Sequence, residues 1–214
     1  MNFRLYTLLA LSFVTLAFFS CDLATQRMNI GMNIENRNIA IEFHDGDIAF
    51  RCGSGFMSKM VIAANPKGRY SHVGVIAKVN DRWCVIHEVP YEGRTTADDK
   101  IYCEEVDKFF DSNKAISGAI YRFEGLDSIH RATIRQYALQ QLSLNTPFDH
   151  EYDLEDDSSQ YCSELVWRSF LTTGIDISNG NRTYALFPGL SGYYILPSDI
   201  ETNHSLIQIY HFED

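Results

Sequence analysis

The sequence predicts an α+β domain, an antiparallel sheet packed with helices, and three stretches carry that prediction. Residues 70–77 and 83–89 are rich in β-branched and aromatic residues and are separated by Asn80-Asp81, so they form two strands joined by a turn. Residues 128–144 place Ile134, Tyr137, Ala138, Gln141 and Leu142 at helical spacing behind Asp127, a good N-cap. Residues 162–172 repeat the helical pattern, with Leu165, Val166 and Phe170 following Cys162 and Thr173-Gly174 as a stop.

Taken in order, residues 1–20 hold a single charge, Arg4, before an apolar run over 8–19 and then Ser20-Cys21. A short basic start, an apolar stretch of this length and a small residue before the break are the pattern of a secretory signal peptide rather than of a spanning helix. The cysteine directly after the small residue is similar to a bacterial lipobox, so Cys21 is expected to be the lipidated first residue of the mature chain. Residues 21–38 are polar and Asn-rich and read as a lipid-anchored tether, leaving 39–214 as one catalytic-sized domain. That address is the bacterial cell envelope, held to a membrane and facing periplasm or exterior.

The domain opens with an expected strand pair over 39–43 and 47–51, then a helix over 56–64 stopped by Asn65-Pro66-Lys67-Gly68. After the hairpin come a loop over 91–99, strands near 101–105 and 119–123, and the long helix. Residues 179–194, rich in Gly, Asn and aromatics, have no clear period, and 206–212 alternate as a final strand.

Composition excludes several classes. Asp and Glu outnumber Lys and Arg by 28 to 18, a formal charge of −10, so nucleic acid is not an expected partner. The seven histidines are scattered without a closely spaced ligand pair, which argues against a zinc hydrolase, and no cofactor is expected. Asp149, Glu151, Asp153 and Glu155 alternate like the opening of a calcium loop, but the sixth position lacks glycine and Gln160 stands at the twelfth. Beyond Cys21 there are Cys52, Cys84, Cys103 and Cys162; Cys84 and Cys103 lie on neighbouring predicted strands and are a candidate disulfide, and Cys52 reads as structural.

The chemistry gathers around Cys162. A helix N-terminus offers free N–H groups and partial positive charge, conditions that favour a thiolate, the nucleophilic form of cysteine. His72 lies on a predicted strand, and a hairpin turning about Asn80 sets Glu88 across from it on the same sheet face while pointing His87 to the other. Nucleophile, base and orienting carboxylate make a complete set.

These residues resemble the permuted papain-like enzymes of the NlpC superfamily, specifically the YiiX-like group. The matching elements are Gly46-Asp47-Ile48, Tyr70-Ser71-His72-Val73-Gly74, Glu88, Pro147-Phe148-Asp149 and Tyr161-Cys162-Ser163-Glu164, spanning roughly residues 40–175. The order His, then acidic or polar residue, then Cys is that of the permuted group. The resemblance implies a circularly permuted papain-like fold, Cys162 as nucleophile, His72 as base, Glu88 as the group orienting it, and Tyr161, Tyr70 and Tyr152 as substrate-facing residues. Phe148 stands where the group is expected to carry tyrosine, so a hydroxyl is absent there. The implied activity is a cysteine amidase or peptidase without a metal, acting on a peptide or amide substrate, with peptidoglycan stem peptides or related amide-linked amines the leading class. The alternatives are a lipid-acting enzyme resembling lecithin retinol acyltransferase and an inactive module that binds cell-wall peptide.

Overall fold

A computed structural model describes residues 41–65, 68–90, 99–187 and 189–213. The expected signal peptide over 1–20, the expected lipidation at Cys21 and the expected tether over 21–38 lie outside the described residues. Within them the chain runs β1 (Asp47–Gly53), α1 (Phe56–Ala64), β2 (His72–Val79), β3 (Arg82–Val89), β4 (Lys100–Glu105), α2 (Val106–Phe109) and β5 (Ala115–Phe123). It continues with α3 (Ser128–Leu144), α4 (Cys162–Leu171), β6 (Thr183–Phe187), β7 (Leu190–Tyr194), α5 (Pro197–Glu201) and β8 (Leu206–Glu213).

Six strands form one antiparallel sheet in the order β4-β3-β2-β1-β5-β8, and β6 and β7 form a separate hairpin. One sheet face presents Ile48, Phe50, Val73, Val75, Ile86, Ala119 and Tyr121 to Ile134 and Ala138 of α3 and Leu165, Val166 and Phe170 of α4. Burying this apolar set is the main force seating both helices. Asp127 caps α3 by accepting the His130 N–H at 2.8 Å, and Asn145 ends it in a left-handed conformation with φ of 54°. The opposite face carries Arg51, His72 and His87 and is covered by Phe109 and Phe110.

Several expectations change. Residues 41–44 are coil rather than strand, and the chain enters β1 through a turn at Asp45-Gly46 in which Asp47 Oδ2 accepts the His44 N–H at 2.8 Å. The aperiodic stretch after α4 is the β6–β7 hairpin, whose exposed tyrosines Tyr184 and Tyr193 face each other across the strands and obscure any apolar alternation. Cys84 and Cys103 are free thiols that sit diagonally on neighbouring strands.

The correction with the largest consequence concerns the central hairpin. Its loop is two residues, Asn80 and Asp81, with φ of 49° and 64°, closed by the pair Val79↔Arg82. Positive φ at both loop positions is the twist-compatible hairpin turn. A two-residue loop shifts the register by one relative to a turn centred on Asn80: Val75 faces Ile86 and Ile76 faces Val85. Continued along the strands, this pairing sets Gly74 against His87 and Val73 against Glu88, so Glu88 leaves the face of His72 and His87 joins it.

Gly74 is what allows His87 to lie so close. A Cβ there would stand 2.6 Å from Val85 Cγ1 and 2.8 Å from both His87 Cβ and the Ile86 carbonyl. Gly74→Ala is therefore expected to destabilise the domain by about 1–3 kcal/mol through overpacking, read from the urea midpoint; an unchanged midpoint argues against this register.

Candidate active site

Cys162 is the first residue of α4. The helix start is fixed by Glu164, whose Oε2 accepts the Tyr161 backbone N–H at 3.3 Å while Oε1 accepts from Arg168 Nε at 2.7 Å. Packing of α4 on β2 and β3 presses this end against the start of β2, where the Val73 backbone N–H is directed at the sulfur and Ser163 Oγ lies 3.9 Å from it.

His72 opens β2, and its Nε2 lies 2.9 Å from His87 Nδ1. The thiol and this imidazole line one cavity of about 510 Å³ without a direct hydrogen bond between them. With Nε2 engaged by His87, Nδ1 is the nitrogen left for the cavity. His87 Nε2 in turn lies 3.3 Å from Glu104 Oε2, at a geometry too poor for a well-formed hydrogen bond, so that contact is chiefly electrostatic. Glu104 is also paired with Lys114 and lies 3.8 Å from Arg51, whose Nη1 donates to the Phe109 carbonyl at 2.8 Å.

Glu88 does not orient His72. It is wholly buried on the helix-covered face, near Cys162 and Glu164, and neither carboxylate oxygen has a hydrogen-bond partner. Burial, with the Glu164 carboxylate nearby, pushes its pKa up to about 9, so it is a neutral acid at pH 7. Burial likewise holds His72 well below 6.5, with Arg51 and His87 adding to the effect. The Cys162 thiol is raised by burial, opposed by the contacts from Ser163 and the Val73 N–H. The helix N-terminus thus does not win: thiol and imidazole are both neutral at rest.

Of the three tyrosines, Tyr152 and Tyr161 line the cavity and Tyr70 does not; it is buried in the core against Phe50. The Tyr161 hydroxyl accepts the Ile195 N–H at 3.1 Å. Tyr152 holds φ of 55° and stacks on Phe187, and burial keeps its phenol protonated. Phe148 lines the same wall, its ring edge-on to Tyr152. Asp149 accepts the N–H groups of Glu151 and Asp153 at 2.8 and 2.6 Å, so the carboxylate that heads the calcium-like pattern holds the loop's own backbone. His87, Glu104, Arg51 and Lys114 were not singled out from the sequence; the available signal was the preference of hairpins for two-residue loops.

This is the layout of a permuted papain-like cysteine hydrolase: a cysteine heading a helix, packed on a strand that begins with histidine and precedes it in the chain. The family described as permuted papain-like amidase enzyme, YaeF/YiiX, C92 family, matches residues 42–187, and the chain belongs to it. The structure also resembles the crystal structure of metalloprotein yiiX from Escherichia coli O157:H7, with a TM-score of 0.64 and 19% identity over 80% of this chain and 98% of that one. No curated protein matches. Among the described residues no group of three or more His, Cys, Asp or Glu side chains is placed to hold a metal ion, so the donor set does not fit one.

Two outcomes test the electrostatics. Glu88 gains a proton on folding between its ordinary pKa of 4.5 and about 9, so the stability it allows is complete below 4.5 and is lost as pH rises towards 9. Glu88→Gln should remove this loss, its melting temperature gaining on the parent protein steadily from pH 5 to 9; parallel curves would show the carboxyl to be ionised in the fold. Alkylation of free Cys162 by iodoacetamide should be slow at pH 7 and still rising beyond pH 9, whereas a plateau near neutrality would mean a resident thiolate.

Proposed function

We propose that the protein hydrolyses an amide bond with Cys162 as nucleophile, His72 as base and acid, and His87 as the group that orients His72. The observation that carries this reading is the 2.9 Å contact of His72 Nε2 with His87 Nδ1 beside a cavity shared with the thiol. In the proposed cycle His72 Nδ1 takes the thiol proton as sulfur attacks the acyl carbon. The Cys162 backbone N–H and the Tyr152 hydroxyl serve as donors to the oxyanion. The proton then passes to the leaving amine as the C–N bond breaks, and water activated by His72 splits the thioester. Because both partners are neutral at rest, the thiol proton is transferred to His72 as sulfur attacks rather than beforehand.

Cell-wall stem peptides or related amide-linked amines are the proposed substrates, supported by family membership and by the envelope address read from residues 1–21. A lipid-acting reaction is the second reading, and one observation favours it: Met57, Val61, Phe148, Phe187, Ile195 and Leu196 give the cavity an apolar wall suited to an acyl chain.

Incubation of the protein and its Cys162→Ala variant with peptidoglycan fragments and with N-acylated lipid extracts, followed by mass spectrometry, separates the two; Cys162-independent products in both sets would end the hydrolase reading. On the substrate found, His72→Ala is expected to lower kcat about 10²–10⁴-fold. His87→Ala should lower it about 10–100-fold, and Glu88→Gln should stay within about threefold, the reverse ranking favouring Glu88 as the orienting group.

A further inference from the structure

Two neutral imidazoles in contact through His72 Nε2 and His87 Nδ1 have two proton arrangements. In one, His72 donates Nε2–H and leaves Nδ1 as a lone pair facing the cavity. In the other, His87 donates, His72 carries its proton on Nδ1, and it cannot accept the thiol proton. Only the first arrangement makes His72 a base, and nothing within the pair itself selects it.

The selecting group stands at the far side of His87. We propose that Glu104 is a positioning residue, which by holding the proton of His87 on Nε2 makes Nδ1 of His87 an acceptor and so forces His72 into the tautomer able to deprotonate Cys162. The inference rests on the catalytic reading above. Its geometry is the 3.3 Å approach of Glu104 Oε2 to His87 Nε2, a charge contact rather than a formed hydrogen bond, beside which the N–H end of the imidazole is favoured over its lone pair. Glu104 stays ionised: burial resists the charge, but His87 and Lys114 outweigh it and hold the pKa at about 2.

Burial above all leaves the pair neutral, and the neighbouring cations add to it against the pull of Glu104 on His87. Arg51 of β1 and Lys114 after α2 both oppose a positive charge on His87, and Arg51 opposes one on His72. Phe109 packs its ring against both imidazoles, 5.8 Å from His72 and 5.1 Å from His87, and both histidines are buried. Tyr102 lies beside His87 at 6.3 Å, and Cys162 lines the same cavity as the pair, as does Glu88, which the register places on the opposite sheet face. In acylation one proton moves, from sulfur to His72 Nδ1 and on to the leaving nitrogen; in deacylation Nδ1 takes a proton from the attacking water and returns it to sulfur as the C–S bond breaks. His72 keeps its Nε2–H throughout, and the Glu104 carboxylate stabilises the transient imidazolium through His87.

The test is ¹⁵N NMR of the full-length chain labelled at the histidine ring nitrogens, assigned through His72→Asn and His87→Asn. The expected result is N–H on Nε2 of both rings in the unaltered protein, and a substantial Nδ1–H population on His72 in Glu104→Gln. Glu104→Gln should also lower kcat about 10–100-fold with KM within about twofold, and Glu104→Asp should recover part of that loss. Nδ1–H on His72 in the unaltered protein, or tautomers that Glu104→Gln leaves unmoved, overturns the proposal; the first readout needs no variant of Glu104 to fold. If the tautomers and their response are as expected but no Cys162-dependent turnover exists, the role of Glu104 in placing the protons stands and the hydrolase reading falls.

Discussion

The site depends on the pairing of β2 with β3, which a two-residue loop at Asn80-Asp81 holds in register. Side chains alternate between sheet faces, so a shift of one residue exchanges the two neighbours His87 and Glu88 completely. The observed pairing sends a histidine to the polar face, where it meets His72, and a carboxyl to the helix-covered face beneath Cys162. The absence of a side chain at Gly74 is part of the same constraint, since the space a Cβ would need is filled by Val85, Ile86 and His87.

Burial then decides the charge state of what the register assembles. Cys162, His72 and Glu88 are each held in their neutral forms, because each would carry its charge in a poorly solvated place. Glu104 is the exception, kept ionised by Lys114 and His87. A site built this way keeps a fixed negative charge two residues removed from the reacting sulfur, with polarisable imidazoles between. In the proposed cycle the helix N-terminus contributes N–H groups at the oxyanion position more than a resting thiolate.

Much of the architecture was legible in the sequence. The helices near 56–64 and 128–144 were legible in place and extent, because stop signals, an Asp127 cap and apolar spacing agree locally. The strand bearing His72, the helix headed by Cys162 and their order along the chain were legible for the same reason, and that order is what distinguishes the permuted arrangement. The β6–β7 hairpin was not, since Tyr184, Leu186 and Tyr193 are exposed and leave no contrast between an inner and an outer face. Tyr70, next to the active-site strand in sequence, was legible as a neighbour of His72 but not as a core residue turned away from the cavity.

By itself the sequence determined the strand and helix that carry His72 and Cys162, the acidic balance of the chain, and the scatter of its histidines, because each of these is a local pattern or a count. Only the tertiary structure decided which residue stands beside the histidine. That choice rests on a one-residue register between strands, and on contacts from Arg51, Glu104 and Lys114, which come from three separate segments and meet only when β1, β4 and the turn before β5 are brought together in the fold.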